Sequence, residues 1–332
     1  MTNPERNPDE VVSSVDETAP EVTVLVPREV PLGGPRSMTV RRTLPARERT
    51  LIGAWCFVDH YGPDDVADSG GMKVAPHPHT GLQTVSWLFS GEIEHKDSAG
   101  NHAMVRPGEV NLMTAGRGIS HSEVSTESTT TLHGAQLWVA LPDEARYTDP
   151  GFDHYVPEPV ERDGLVARVF IGSLLGETSP VATFTPLLGA ELLLEPGADV
   201  ELTVDPSFEH GVLVDDGVVD VADQPAKPGE LVHVAPRSDR LRIVAGELPA
   251  RLLLLGGVPF GQRIVMWWNF VGRSHEEVVA FRQEWQDQIT RDGSVIQDSQ
   301  DVAPGRYGVV VDDHLAPIPA PDLPNARLRE RS

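Results

Sequence analysis

The sequence predicts an all-β protein of two β-barrel (jelly-roll) domains with a C-terminal amphipathic helix. Three observations lead there. Thirty glycines and 29 prolines cut the 332 residues into short apolar runs, a density of turn residues that interrupts helices and suits strands. A turn-and-strand unit occurs twice: strand, Ser90-Gly91-Glu92, strand, Pro107-Gly108-Glu109, strand in the first half, and residues 212–214, Asp216-Gly217, residues 218–221, Pro228-Gly229-Glu230, residues 231–234 in the second. Asp-Gly between β-branched runs is a strong hairpin signal, and recurrence of the whole unit reads as duplication of one barrel. Helical periodicity is confined to one stretch near the C-terminus.

Residues 1–20 are polar, acidic and poor in aromatic residues, a composition expected to be disordered. Val-rich alternation begins at residue 21, and the first domain is expected over 21–156. The Pro/acidic connection Val156-Pro157-Glu158-Pro159-Val160-Glu161 marks the boundary, with the second domain over 157–262. In segment 263–293, Ser274-His-Glu-Glu277 is a capping box, Ser274 accepting from the N3 amide and Glu277 reaching back. Val278, Phe281, Trp285 and Ile289 follow at helical spacing, and Gly293 is placed to end the run. The stripe is expected to pack on a barrel as part of the core. Residues 294–332, carrying Pro317, Pro319, Pro321 and Pro324, are expected to be extended or mobile.

Chemistry concentrates in Ala75-Pro-His77-Pro-His79-Thr-Gly81 and Gly116-Arg-Gly-Ile-Ser-His121-Ser-Glu123. A lone histidine among twelve needs no metal. Residues i and i+2 of a strand share a face, so two such pairs on neighbouring strands bring three imidazoles and one carboxylate to one interior point. That is a mixed N/O site suited to iron, manganese, nickel, copper or zinc. Residues 82–89 read as a strand with Val85, Trp87 and Phe89 inward, and counting back in twos carries Gln83, His79 and His77 onto the same face. Imidazoles buried there without partners would each cost about 1–3 kcal/mol, and a metal satisfies them together.

The spacing His77-x-His79-x-x-x-Gln83 ahead of Gly91 has the cadence of a first cupin motif, with Gln83 in the glutamate place. A neutral amide is a poor ligand, so Gln83 is expected to hydrogen-bond behind the ligands while Glu123 supplies the carboxylate. Two such barrels make a bicupin. The same offsets in the second copy fall on Thr203, Asp205, Arg242 and Val244, with His210 and His233 isolated. One divalent transition metal per chain is therefore expected, in the first barrel, the second being structural.

These motifs resemble the pirin family. The stretch Arg42-Thr-Leu-Pro45 to Phe57-Val-Asp59-His60-Tyr-Gly62-Pro63, then His77-Pro-His79-Thr-Gly81, Met113-Thr-Ala-Gly116-Arg-Gly-Ile-Ser-His121-Ser-Glu123 and His133-Gly-Ala-Gln136-Leu-Trp138-Val look like pirin signatures in pirin order. Trp267-Trp268-Asn269-Phe270-Val271 and the helix after it look like bacterial members, so the resemblance spans roughly residues 35–290. It implies that His77, His79, His121 and Glu123 are the metal ligands, iron foremost among the ions. Some pirins are quercetin 2,3-dioxygenases, which implies a flavonol or related enolisable small molecule, with dioxygen, as substrates. Others act by binding proteins, so the alternative is a metal- or redox-responsive regulatory protein working through protein–protein contacts. A metal that only stabilises the barrel is the third reading.

Four protein ligands on an octahedral ion leave two positions for substrate and dioxygen, whereas structural zinc favours a closed tetrahedron with thiolates, and the lone Cys56 lies far from these motifs in sequence. Glu123 is the candidate catalytic base for the flavonol 3-hydroxyl, because the amide of Gln83 cannot take up a proton at neutral pH. A net charge of −23 and a pI near 4.8 disfavour direct nucleic-acid binding. The basic run with Arg41, Arg42, Arg47 and Arg49 alternates with Met38, Val40 and Leu44 and reads as a half-buried strand with a solvated charged face. No segment approaches the roughly 20 apolar residues of a membrane span, and the N-terminus lacks a signal peptide's apolar core, so a cytoplasmic protein is expected. Cys56, between Trp55 and Phe57, cannot form an internal disulfide and reads as a small buried hydrophobe.

Overall fold

Short apolar runs separated by glycine turns assemble into two copies of one design, a seven-stranded antiparallel sheet and a four-stranded one. The structure is a computed structural model that describes residues 22–32 and 38–331, so the expectation for residues 1–20 lies outside the described residues. In the first copy the large sheet runs Gly151–Tyr155, Val110–Thr114, Leu82–Ser90, Thr131–Ala140, Trp55–Asp65, Met38–Leu44, Arg28–Leu32. Its small sheet runs Lys73–His79, Ile119–Ser125, Ile93–Asp97, His102–Val105. In the second copy the large sheet is Val22–Leu25, Leu231–Val234, Glu209–Asp216, Ala250–Gly257, Leu187–Leu194, Leu165–Ile171, Val160–Arg162, and the small one Asp199–Thr203, Arg240–Ala245, Val219–Val221, Gln224–Ala226. The edge place that Gly151–Tyr155 fills in the first barrel is taken in the second by Val22–Leu25. Residues 22–25, expected in the first domain, thus complete the other one.

The repeated Pro-Gly-Glu turns have one geometry. Glu109 N donates to Arg106 O at 3.2 Å and Glu230 N to Lys227 O at 3.1 Å, with Gly108 and Gly229 at φ 77° and 89°, values that favour glycine.

One face of each large sheet turns toward the other barrel. Val85, Trp87, Leu112, Ala135 and Leu137 share a buried cluster with Leu213, Leu231, Leu253 and Leu255, Trp87 stacks on Phe170 at 4.6 Å, and Trp55 Nε1 donates to Leu188 O and Gly256 O, each at 3.2 Å. The counting that placed Gln83, Val85 and Trp87 on the ligand face is therefore corrected. Gly81 separates the strands ending at His79 and starting at Leu82. Its φ is 73°, and a Cβ there would stand 2.1 Å from Val271 O, so the period-two alternation does not carry across it.

Arg42 is likewise not on a solvated face. It is buried, donating through Nε and Nη2 to the two oxygens of Asp59 at 2.6 and 2.8 Å. Cys56 is fully buried, and burial pushes its thiol pKa up.

The helix runs His275–Ile289 with Ser274 Oγ accepting from Glu277 N at 3.2 Å, and buries Val278, Phe281, Trp285 and Ile289. Glu277 does not close the box on Ser274: its carboxylate accepts from Arg273 N at 2.7 Å and from both terminal nitrogens of Arg146 at 2.7 and 2.9 Å. Nor does Gly293 end the helix. Thr290 is already extended and opens a small hairpin with Ser294–Val295, whose turn holds Gly293. The proline-rich tail is extended but packed: Ile318 N donates to Pro76 O, Ser120 Oγ to Tyr307 O, each at 2.9 Å, and Trp285 Nε1 to Ile318 O at 2.8 Å. It lies along the metal-motif strands. No helix of the described residues is long and apolar enough to cross a membrane.

Candidate metal centre

Register brings the chemistry together. Ile119–Ser125 lies between Lys73–His79 and Ile93–Asp97, pairing His121 with His77 on one side and Glu123 with His95 on the other. Ile119 faces His79, and a bulge shifts the register between His121 and Glu123. His77, His79, His121 and Glu123 are all 0% exposed. The three imidazole centroids are 4.3, 4.9 and 5.0 Å apart, and a nitrogen from each ring lies within 4.8 Å of the others. Trp138 stands edge-on to His79 at 5.2 Å and stacks on Phe57 at 4.0 Å, forming an aromatic wall.

Hydrogen bonding fixes the tautomer of His77. His77 Nδ1 is 2.9 Å from Ala75 O. A carbonyl only accepts, so Nδ1 carries the hydrogen and Nε2 keeps its lone pair. His77 Nε2, His79 Nε2 and His121 Nε2 are buried with no hydrogen-bond partner, which is costly unless another ligand takes them up. Burial foremost pushes all three imidazoles well below the usual histidine range. They are neutral lone-pair donors at pH 7, the form a transition metal binds. The donor set fits a divalent transition ion.

Glu123 sits beside this triad rather than symmetrically within it. A carboxylate oxygen lies within 4.8 Å of ring nitrogens of His121 and His95, and Ser86 Oγ stands 3.3 Å from Glu123 Oε1 and 2.9 Å from Gln136 Oε1. Gln83 is elsewhere: its Nε2 donates to Thr114 Oγ1 at 2.9 Å and reaches Ala182 O of the other half at 3.5 Å. The break at Gly81 moved it to the interdomain face, and Ser86 is the side chain that stands beside Glu123 instead.

His95 and Asp97 were missed by the sequence reading. His95 Nδ1 is 3.4 Å from His121 Nδ1, and its Nε2 is 3.3 Å from Asp97 Oδ2. Burial raises the Asp97 pKa, but hydrogen bonds from His95 and Asn101 outweigh it and hold the carboxyl below its usual range. The signal was present as the i, i+2 spacing of His95 and Asp97 on the strand after Gly91.

In the second barrel the counted ligand positions are one residue out of phase. Thr203 and Arg242 are exposed, and the inward places hold buried Val200, Leu202, Leu241 and Ile243. His233 is paired rather than isolated, its Nε2 3.0 Å from Glu209 Oε2.

A further cluster lies between the barrels. His60 Nε2 and His133 Nε2 are each 2.6 Å from Asp215 Oδ1. Arg41 Nε donates to His60 Nδ1 at 3.3 Å. Arginine only donates, so His60 carries its hydrogen on Nε2 and gives it to Asp215. That ring has no lone pair left for a metal.

Comparison with known proteins agrees with this architecture. A family profile described as "Pirin" matches residues 37–139, and one described as "Pirin C-terminal cupin domain" matches residues 189–290. A Pseudomonas aeruginosa protein named "Putative quercetin 2,3-dioxygenase" is 43% identical over 267 residues, 80% of this chain and 84% of its own. A "Pirin-like protein" of Caulobacter vibrioides is 37% identical over 257 residues, 74% of this chain and 87% of its own. The crystal structure of a quercetin 2,3-dioxygenase from Acinetobacter baumannii is similar with a TM-score of 0.84 at 38% identity, covering 94% of this chain and 98% of that one.

Proposed function

The chain belongs to the pirin family, and from that premise we propose that it is a metal-dependent dioxygenase of a flavonol or related enolisable small molecule. His77, His79, His121 and Glu123 would hold one divalent transition metal, iron being the preferred ion ahead of manganese, nickel, copper and zinc. The observation that carries this reading is the trio of buried imidazoles whose Nε2 atoms have no partner, a ring nitrogen of each lying within 4.8 Å of the others. The names of the Pseudomonas and Acinetobacter relatives support the substrate class.

When bound, the ion supplies Lewis acidity toward an anionic substrate oxygen and a path for electrons to dioxygen. The chain supplies the rest. Glu123 accepts the proton of the substrate hydroxyl at a carboxylate oxygen, with Ser86 Oγ beside Oε1 to orient it. The three imidazoles stay neutral through burial, so they do not compete for that proton. Trp138 and Phe57 line the wall with apolar surface and exclude water.

The test is aerobic incubation with a flavonol panel of protein loaded separately with iron, manganese, nickel and copper, following oxygen uptake and loss of flavonol absorbance. Turnover with at least one ion is expected. Absence of turnover in protein shown to be metal-replete would overturn the reading. The sealing of all four residues from solvent favours a second reading, a metal-responsive regulatory protein acting through protein–protein contacts. That reading predicts metal-dependent capture of a partner without flavonol turnover.

A further inference from the structure

We propose that Asp97 and His95 are positioning residues that set the tautomer of His121, and so decide whether its Nε2 lone pair is available to a metal. This rests on reading the histidine group as a metal centre. The chain of reasoning begins in a hairpin. Asp97 ends the strand Ile93–Asp97, and its Oδ1 accepts from Ala99 N at 2.9 Å and Asn101 N at 3.0 Å, while Oδ2 accepts from Asn101 Nδ2 at 2.9 Å. The turn thus pins a carboxylate whose Oδ2 faces His95 Nε2 at 3.3 Å.

A carboxylate accepts, so His95 carries its hydrogen on Nε2 and presents a lone pair at Nδ1. That lone pair faces His121 Nδ1 at 3.4 Å. His121 therefore carries its hydrogen on Nδ1, and its Nε2, buried and without a partner, is the free donor. His77 reaches the same tautomer by a shorter route, through the carbonyl of Ala75. Both are the arrangement in which an outer acceptor orients a metal-binding imidazole.

The Phe152 ring packs against His95 at 5.0 Å.

Asp97→Asn is the informative variant. It keeps an oxygen for Ala99 N and Asn101 N but can turn an amide NH2 toward His95 Nε2. His95 would then carry its hydrogen on Nδ1, and His121, facing a donor, would move its own hydrogen to Nε2. His95→Phe removes the acceptor outright.

The experiment has two readouts on the full chain. Long-range 1H–15N correlation on metal-free wild type should show His121 protonated on Nδ1 and His95 on Nε2; the opposite tautomer at either ring overturns the proposal. Titration with Co(II) should show Asp97→Asn and His95→Phe each binding about 10- to 100-fold more weakly than wild type, with the double variant no weaker than the weaker single. Unchanged affinity in both singles, or losses that add independently, overturns it. If wild type binds no Co(II), the metal reading fails instead, and the tautomers of the metal-free protein still decide the relay.

Discussion

Glu123 carries two roles in the proposed mechanism, and a single oxygen separates them. Glu123→Gln keeps a ligand-sized group while removing the basic oxygen, so metal is expected to be partly retained while flavonol cleavage falls by roughly 10²-fold or more. Metal content and oxygen uptake on the same samples check this, and unchanged turnover in metal-replete protein removes Glu123 as the base. Elemental analysis should find about one ion per chain, as the proposed set of four ligands implies, and none retained when His77 and His121 are both changed to alanine. Gln83→Glu gives the contrasting result. Gln83 bonds to Thr114 and not to the ligands, so a carboxylate there is expected to leave Co(II) affinity unchanged and to cost about 1–3 kcal/mol of stability in urea unfolding. The convergence of His77, His79 and His121 was legible because i, i+2 spacing in a strand is a strong rule. Gln83 was misplaced because one left-handed glycine resets that rule, and His95 went unseen because its role depends on which strand lies beside His121.

Elements were more legible than the connections between them. Strand runs, the duplicated Pro-Gly-Glu turn and the Ser274 helix all follow from local pattern. The exchange of Val22–Leu25 into the second barrel does not, because any apolar four-residue strand fits either edge. The fate of Glu277 was also set at a distance: two contacts from Arg146, on the loop after Thr131–Ala140, draw its carboxylate away from Ser274. The helix cap still has its first half, so Ser274→Ala is expected to cost about 1 kcal/mol, read as a lower thermal midpoint with no change in metal content. The tail reads as mobile from its prolines alone, yet Tyr307 is fully buried, giving its O–H to Phe281 O at 3.0 Å and packing against Trp285 and Phe270. Tertiary packing overrides composition there.

At the scale of the whole molecule, the two barrels are joined by the apolar seam around Trp87 and Phe170 and by the buried polar cluster on Asp215. Asp215 comes from the second barrel, while His60 and His133 come from the first. Burial alone would raise the Asp215 pKa, but hydrogen bonds from His133 and His60 bring it down to about 2. Burial also lowers the His60 pKa, outweighing the upward pull of Asp215. Both shifts act in the same direction on stability. The unfolded chain takes up a proton at His60 below roughly pH 6.5 and at Asp215 below roughly pH 4, in each case before the folded protein does, so stability falls as pH falls. The Asp215 share is present above its unfolded pKa and is lost as pH approaches 2. Asp215→Asn removes that share together with the charge that draws the His60 pKa upward. Urea unfolding of metal-free protein should find the variant less stable than wild type by about 2–3 kcal/mol at pH 7, with the gap narrowing between pH 4 and pH 2.5. The histidine ligands are common to both proteins and cancel in the difference. A gap that stays constant across that range means the barrels are held at this point by shape, and that the charge of Asp215 contributes nothing to joining them.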